Sequence, residues 1–94
     1  MLRLDVFLKN AGLVKQRSSA KRACDEGCVQ VDQQPAKASR EVRVGDVIAI
    51  DSDTEYLRVE VLGLPQRSVA KKQRQDYYRV LERQHRDPGA DLRF

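Results

Sequence analysis

The sequence predicts an α+β domain: two short N-terminal helices packed on a small, mostly antiparallel sheet, with one more helix on the C-terminal side. Three observations carry this expectation. Leu4, Phe7, Leu8 and Ala11 recur at helical spacing, and Ala20, Ala23 and Cys24 repeat the pattern with smaller side chains. Beyond Gly27 the apolar period falls from near four to two, as in Val29 and Val31 and again in Leu57, Val59 and Val61. Turn residues, Asp32-Gln33-Gln34-Pro35 and Gly45-Asp46, separate the alternating runs.

The first helix is expected over residues 3–11, stopping at Gly12. Asp5 near its start suits the positive end of the helix dipole, while Arg3 and Lys9 lie off the apolar face. Ser18 is placed to accept a hydrogen bond from the first turn of the second helix, and Gly27 to end that helix in the left-handed conformation. The small face of Ala20 and Ala23 then lets Phe7 and Leu8 approach closely. A strand follows at Cys28–Val31, and Val42 and Val44 lead into the Gly45-Asp46 turn. The unbroken run Val47-Ile48-Ala49-Ile50 is expected to be the most buried strand. Asp51–Glu55 reads as a hairpin loop before the strand Leu57–Val61. After Pro65, Ser68 can cap a helix that runs to about Arg83, with Ala70, Tyr77 and Leu81 as its stripe and Lys71, Lys72, Arg74, Arg79 and Arg83 outside it. Residues 84–94 show no periodicity and are expected to be mobile. The expected organisation is thus a domain over 1–65, a basic helix over 66–83 and a tail over 84–94.

Net charge is +4, but its distribution says more. Residues 1–22 carry six basic side chains against Asp5 alone, residues 23–65 carry four against nine acidic, and residues 66–83 carry six against two. Two separate cationic stretches point to a polyanion, and neither has the broad apolar face a membrane surface would need. No apolar run approaches the ~20 residues that span a bilayer. Met1–Asp5 hold no secretory apolar stretch, so a cytoplasmic location is expected. Cys24 and Cys28 stand four apart, and His85 is the only histidine, too few ligands for a structural zinc site. No metal or cofactor is expected. Nor does any nucleophile with a base, carboxylate pair or phosphate-cradling glycine loop suggest an enzyme.

The densest cationic stretch surrounds the start of the second helix: Lys15, Arg17, Lys21 and Arg22, with Ser18 at the helix entrance. Helix N-termini and guanidinium forks both suit phosphate, and Arg17 is the first choice for a bidentate contact. Arg3, Lys9 and Lys37 can extend this face. Asp5 cannot attract phosphate, so it is expected to cap its helix or to orient Arg3 or Arg17. A protein-binding adaptor with an incidental basic face is the competing class.

Four fragments in order carry a family resemblance: Arg3-Leu4-Asp5-Val6-Phe7-Leu8; Arg17-Ser18 with Ala20 and Ala23; Gly27-Cys28-Val29-Gln30-Val31; and Val42-Arg43-Val44-Gly45-Asp46-Val47-Ile48. Together they resemble the RNA-binding domain first described in ribosomal small-subunit protein four, the S-four domain, whose fold is of the alpha-L type. The chain departs from that pattern at Asp32-Gln33, where the family usually has Asn-Gly. Ala36-Lys37-Ala38-Ser39 and the segment Tyr77–Arg83 are similar to the RqcP group of bacterial ribosome-associated quality-control factors. The resemblance implies a non-catalytic protein, expected to be a monomer, that docks on ribosomal RNA of a large subunit still holding peptidyl transfer RNA. There it would support alanine tailing by a partner elongation factor. Arg3, Asp5 and Arg17 stand at that group's RNA-contacting or function-critical positions. A heat-shock-type S-four factor that recycles blocked large subunits is the alternative within the family.

Overall fold

The computed structural model describes residues 2–52 and 54–85. Its elements are β1 (Leu2–Arg3), α1 (Leu4–Asn10), α2 (Arg17–Asp25), β2 (Val29–Val31), β3 (Gln34–Pro35), β4 (Glu41–Val42), β5 (Val47–Asp51), β6 (Glu55–Val61), a 3₁₀ helix (Lys71–Asp76) and β7 (Tyr78–His85). A five-stranded sheet runs β3-β2-β5-β6-β7, antiparallel throughout, and β1 pairs separately with β4. This is the α+β architecture the apolar periods imply.

Both helices lie on one face of the sheet. Leu4, Phe7, Leu8 and Ala11 of the α1 region, with Ala20 and Cys24 of α2, close on Val29, Val31, Ile48, Leu57, Val59 and Val61. Each fully buried Leu, Ile, Val or Phe side chain of this set contributes about 1.5–3 kcal/mol relative to exposure. Ala23 is only half-buried, at the rim of this core. α2 ends as expected: Gly27 takes φ +77°, its N–H bonds Cys24 O at 3.0 Å, and Cys28 N–H bonds Ala23 O at 2.9 Å. That pair of bonds is the Schellman closure. Its start differs from expectation. Gln16 is the N-cap and no side chain among the described residues caps the helix; Ser18 is the second helical residue and its hydroxyl donates to Gln16 Oε1. From there it cannot reach back to the N–H groups ahead of it.

The Asp32-Gln33 turn adopts the left-handed geometry of a two-residue hairpin at both positions, φ 52° and 72°, although Gln is poorly suited to it. Asp32 reinforces it, its Oδ1 accepting from Val47 N–H at 3.1 Å. The run Val47–Ile50 is not uniformly buried: Ile48 alone is, because the sheet is covered on one face, and Val47 and Ala49 line an open depression on the other with Gln30, Tyr56 and Arg58.

The expected C-terminal helix is replaced by the short 3₁₀ helix and an eight-residue strand that pairs with all of β6. Tyr78 and Val80 lie opposite Val61 and Val59, and a bulge at Leu81 then shifts the register so that Glu82 faces Arg58. Tyr78, not Leu81 or Ala70, packs on the core; Tyr77 lies over Gly63 instead. Gln84 and His85 belong to this strand, and the rest of the expected mobile tail lies outside the described residues. The segment between β6 and β7 is fastened to the end of α1: Asn10 Nδ2 donates to Pro65 O at 3.0 Å, Val69 N–H to Asn10 O at 3.0 Å, and Lys9 Nζ to Ser68 Oγ at 2.7 Å.

Candidate nucleic-acid interface

The start of α1 is held against the loop that precedes β4. Leu4 N–H bonds Arg40 O at 2.7 Å and Asp5 N–H bonds Ala38 O at 3.1 Å, while Arg3 pairs with Glu41 in the β1–β4 ladder. This anchorage buries the Asp5 side chain to 3% exposure. Two arginines meet it there. Arg3 Nε lies 3.2 Å from Oδ1 and Nη2 3.3 Å from Oδ2; Arg17 Nε lies 3.1 Å from Oδ2. Val6 N–H also donates to Oδ1, at 2.8 Å. Burial alone would push the Asp5 carboxyl up. Hydrogen bonds from Arg17 and Arg3 and the charges of both outweigh that, and hold it below the usual carboxylate range.

The result is a buried carboxylate that fixes two guanidiniums at the mouth of a shallow depression. Arg3, Asp5, Arg17, Ser18 and Lys21 line it. Arg17 uses only its Nε on Asp5 among the described contacts, and its side chain is 56% exposed. It can therefore present its terminal nitrogens to an outside anion while Asp5 holds its stem. The first turn of α2, whose leading N–H groups have no intrahelical partner, begins at the same place, with Ser18 in the lining. Chemically this surface offers donors and positive charge suited to phosphate oxygens.

Of the residues expected at the site, the structure brings these five together. Lys15 is exposed on the loop leading to α2, and Lys37 is exposed on the loop hydrogen-bonded to the start of α1, but neither lines the depression. Lys9 and Arg22 do not join it. Lys9 sits at the far end of α1 on Ser68, and Arg22 pairs with Glu26 at 3.1 Å beside a different depression shared with Ala23, Cys28 and Ile50. Asp5 has the orienting role its charge implied. Cys24 and Cys28 are free thiols; Cys24 is buried, and burial, then the nearby Asp5 and Asp25 charges, push it up to about 11. One cation had no visible role in the sequence: Arg74 of the 3₁₀ helix lays its guanidinium on Gly12, in the turn after α1. A glycine read only as a helix stop gives no hint of that seat.

Residues 2–48 match the S4 domain family. The chain is 34% identical over 79 residues to the RQC P-site tRNA stabilizing factor of Halalkalibacterium halodurans, a match covering 84% of this chain and 89% of that one. It is 32% identical over 81 residues to the protein of the same name from Bacillus subtilis, covering 86% and 93%. Among solved structures, the trimeric Vibrio cholerae Heat Shock Protein 15 superposes with a TM-score of 0.79 at 26% identity, over 84% of this chain and 80% of that one. The solution structure of the hypothetical protein HP1423 gives a TM-score of 0.74 at 33% identity, over 86% and 98%.

Proposed function

Because this chain belongs to the S4-domain family, among the RQC P-site tRNA stabilizing factors, we propose that it is a non-catalytic RNA-binding protein of ribosome-associated quality control. It docks on ribosomal RNA and transfer RNA of a stalled large subunit in the cytoplasm and steadies the peptidyl transfer RNA there while a partner elongation factor extends the nascent chain with alanine. The observation that carries the reading is the Arg3–Asp5–Arg17 cluster: a 3%-exposed carboxylate that keeps two half-exposed guanidiniums in fixed geometry beside Lys21 and the start of α2. RNA helices hide their base edges in a deep, narrow groove, so a rigid array of cations that reads backbone position is the recognition such a small domain can supply. A fixed fork also loses less freedom on binding a phosphate than a free one does. Among the described residues no helix is long and apolar enough to cross a membrane.

The test is binding to purified large subunits with and without peptidyl transfer RNA. Arg17→Ala is expected to weaken binding about tenfold while the variant stays folded, and wild type is expected to prefer subunits that carry peptidyl transfer RNA. Equal binding by variant and wild type would remove the cluster from the interface. The likeness to Heat Shock Protein 15 favours one second reading, a factor that recycles blocked large subunits. The two readings separate on whether alanine tailing in a reconstituted reaction stops without the protein.

A further inference from the structure

The S4 match ends at residue 48, yet a second cationic surface lies beyond it. Between the 3₁₀ helix and β7 runs a groove lined by Lys71, Arg74, Arg79 and Arg83 over a floor of Leu62, Tyr78 and Val80. Among the described residues no carboxylate lines it. Arg79 and Arg83 do pair with Glu60 and Glu55, but both acids stand on β6, outside the groove. Val80 and Leu62 remain 43% and 40% exposed. Resting on the RNA-binding reading above, we propose that this groove is a second site for RNA backbone, in which these four cations take phosphates.

Three features support the assignment. Arg74 is held in advance, its guanidinium against the Gly12 backbone and its Nε buried without a hydrogen-bond partner among the described residues. The loop over residues 11–16 links that seat to Arg17 in the chain and carries the exposed Lys15, so cations stand at Arg74, Lys15 and Arg17 along the segment that joins the groove to the Asp5 cluster. The half-exposed Tyr78, Leu62 and Val80 supply an apolar floor on which ribose and base faces can rest while their phosphates meet the rim. An acidic protein is the other class of polyanion, and the test separates it.

A fluorescein-labelled RNA stem-loop is titrated with the full chain over a range of salt concentrations. Replacing Lys71→Gln and Arg83→Gln together should lower the slope of log affinity against log salt by about 2, near 0.9 per phosphate lost, and weaken binding roughly tenfold at 0.1 M salt. Lys71→Glu alone, at a side chain with no ion pair among the described residues, should give a similar loss with an unchanged melting temperature. Arg17→Lys, measured in parallel, reports on the first site. If it weakens binding while both groove variants bind like wild type, the groove assignment fails and the main reading stands. Should neither set matter, both fail. A labelled polyglutamate peptide that binds wild type and loses the same fold in the groove variants would also overturn the assignment, in favour of an acidic protein ligand.

Discussion

Asp5 places a negative charge in the middle of the surface proposed to take phosphate, and counting charges alone it should hinder binding. The geometry argues the reverse, because the same carboxylate fixes Arg3 and Arg17 at 3.2 and 3.1 Å. Asp5→Asn removes a charge that repels RNA, yet it is expected to lower RNA affinity and to destabilise the fold by about 1–3 kcal/mol, since a neutral amide replaces a buried acceptor of charge-assisted bonds. The folded carboxyl lies below its usual range, so its stabilisation is complete above the unfolded value and is lost as pH falls through the folded one. The melting gap between Asn variant and wild type should therefore close on acidification below pH ~4; a constant gap would mean the ion pairs do not matter. This role was legible in the sequence because a carboxylate amid cations has few other uses. The exclusion of Lys9 was not, since its partner Ser68 lies far along the chain.

At the scale of elements, the two left-handed glycines that bracket the helices separate two kinds of constraint. A Cβ on Gly27, at φ +77°, meets nothing within 4 Å among the described residues, whereas one on Gly12, at φ +82°, would lie 2.3 Å from Arg74 Nε and 2.5 Å from its Cζ. Both Gly27→Ala and Gly12→Ala should therefore cost mainly the strained backbone, about 1 kcal/mol, because the group in the way at Gly12 is the far end of a flexible side chain that can swing aside; only Gly12→Ala unseats Arg74. Thermal melts of the two variants should nearly coincide, and a much larger loss at Gly12 would mean that the Arg74 seat itself holds the fold. Both glycines were legible as stops. β7 was not. Tyr77 and Leu81 stand four apart, as in a helix, and Tyr78 and Val80 two apart, as in a strand. The bulge at Leu81 breaks the alternation just where it would have decided the matter, so helical spacing looked the longer pattern. The aromatic and β-branched content of Tyr77-Tyr78-Arg79-Val80 favours a strand, and it was the signal to weigh.

For the whole molecule, β7 turns a division suggested by charge into a question of cooperativity. The boundary expected at residue 65 falls in a segment tied to α1 through Asn10, and the strand beyond it pairs along all of β6. A chain ended after Pro65 keeps the whole S4 match and the Arg3–Asp5–Arg17 cluster. It loses the cross-strand partners of Val59 and Val61, the cover that Tyr78 gives the core, and the capped edge of β6. Half-burial of one Tyr and several cross-strand pairs together come to roughly 2–3 kcal/mol. In a domain of this size that corresponds to a melting temperature lower by roughly 10 °C or more. The newly exposed edge of β6 should also make the shortened chain self-associate, as long unpaired strands do. In the full chain, hydrogen exchange should show β7 amides that face β6 opening together with those of β5 and β6. A shortened chain that melts like the full one, with β7 amides exchanging freely in the latter, would mean that the cationic groove is an appendage on an independent domain.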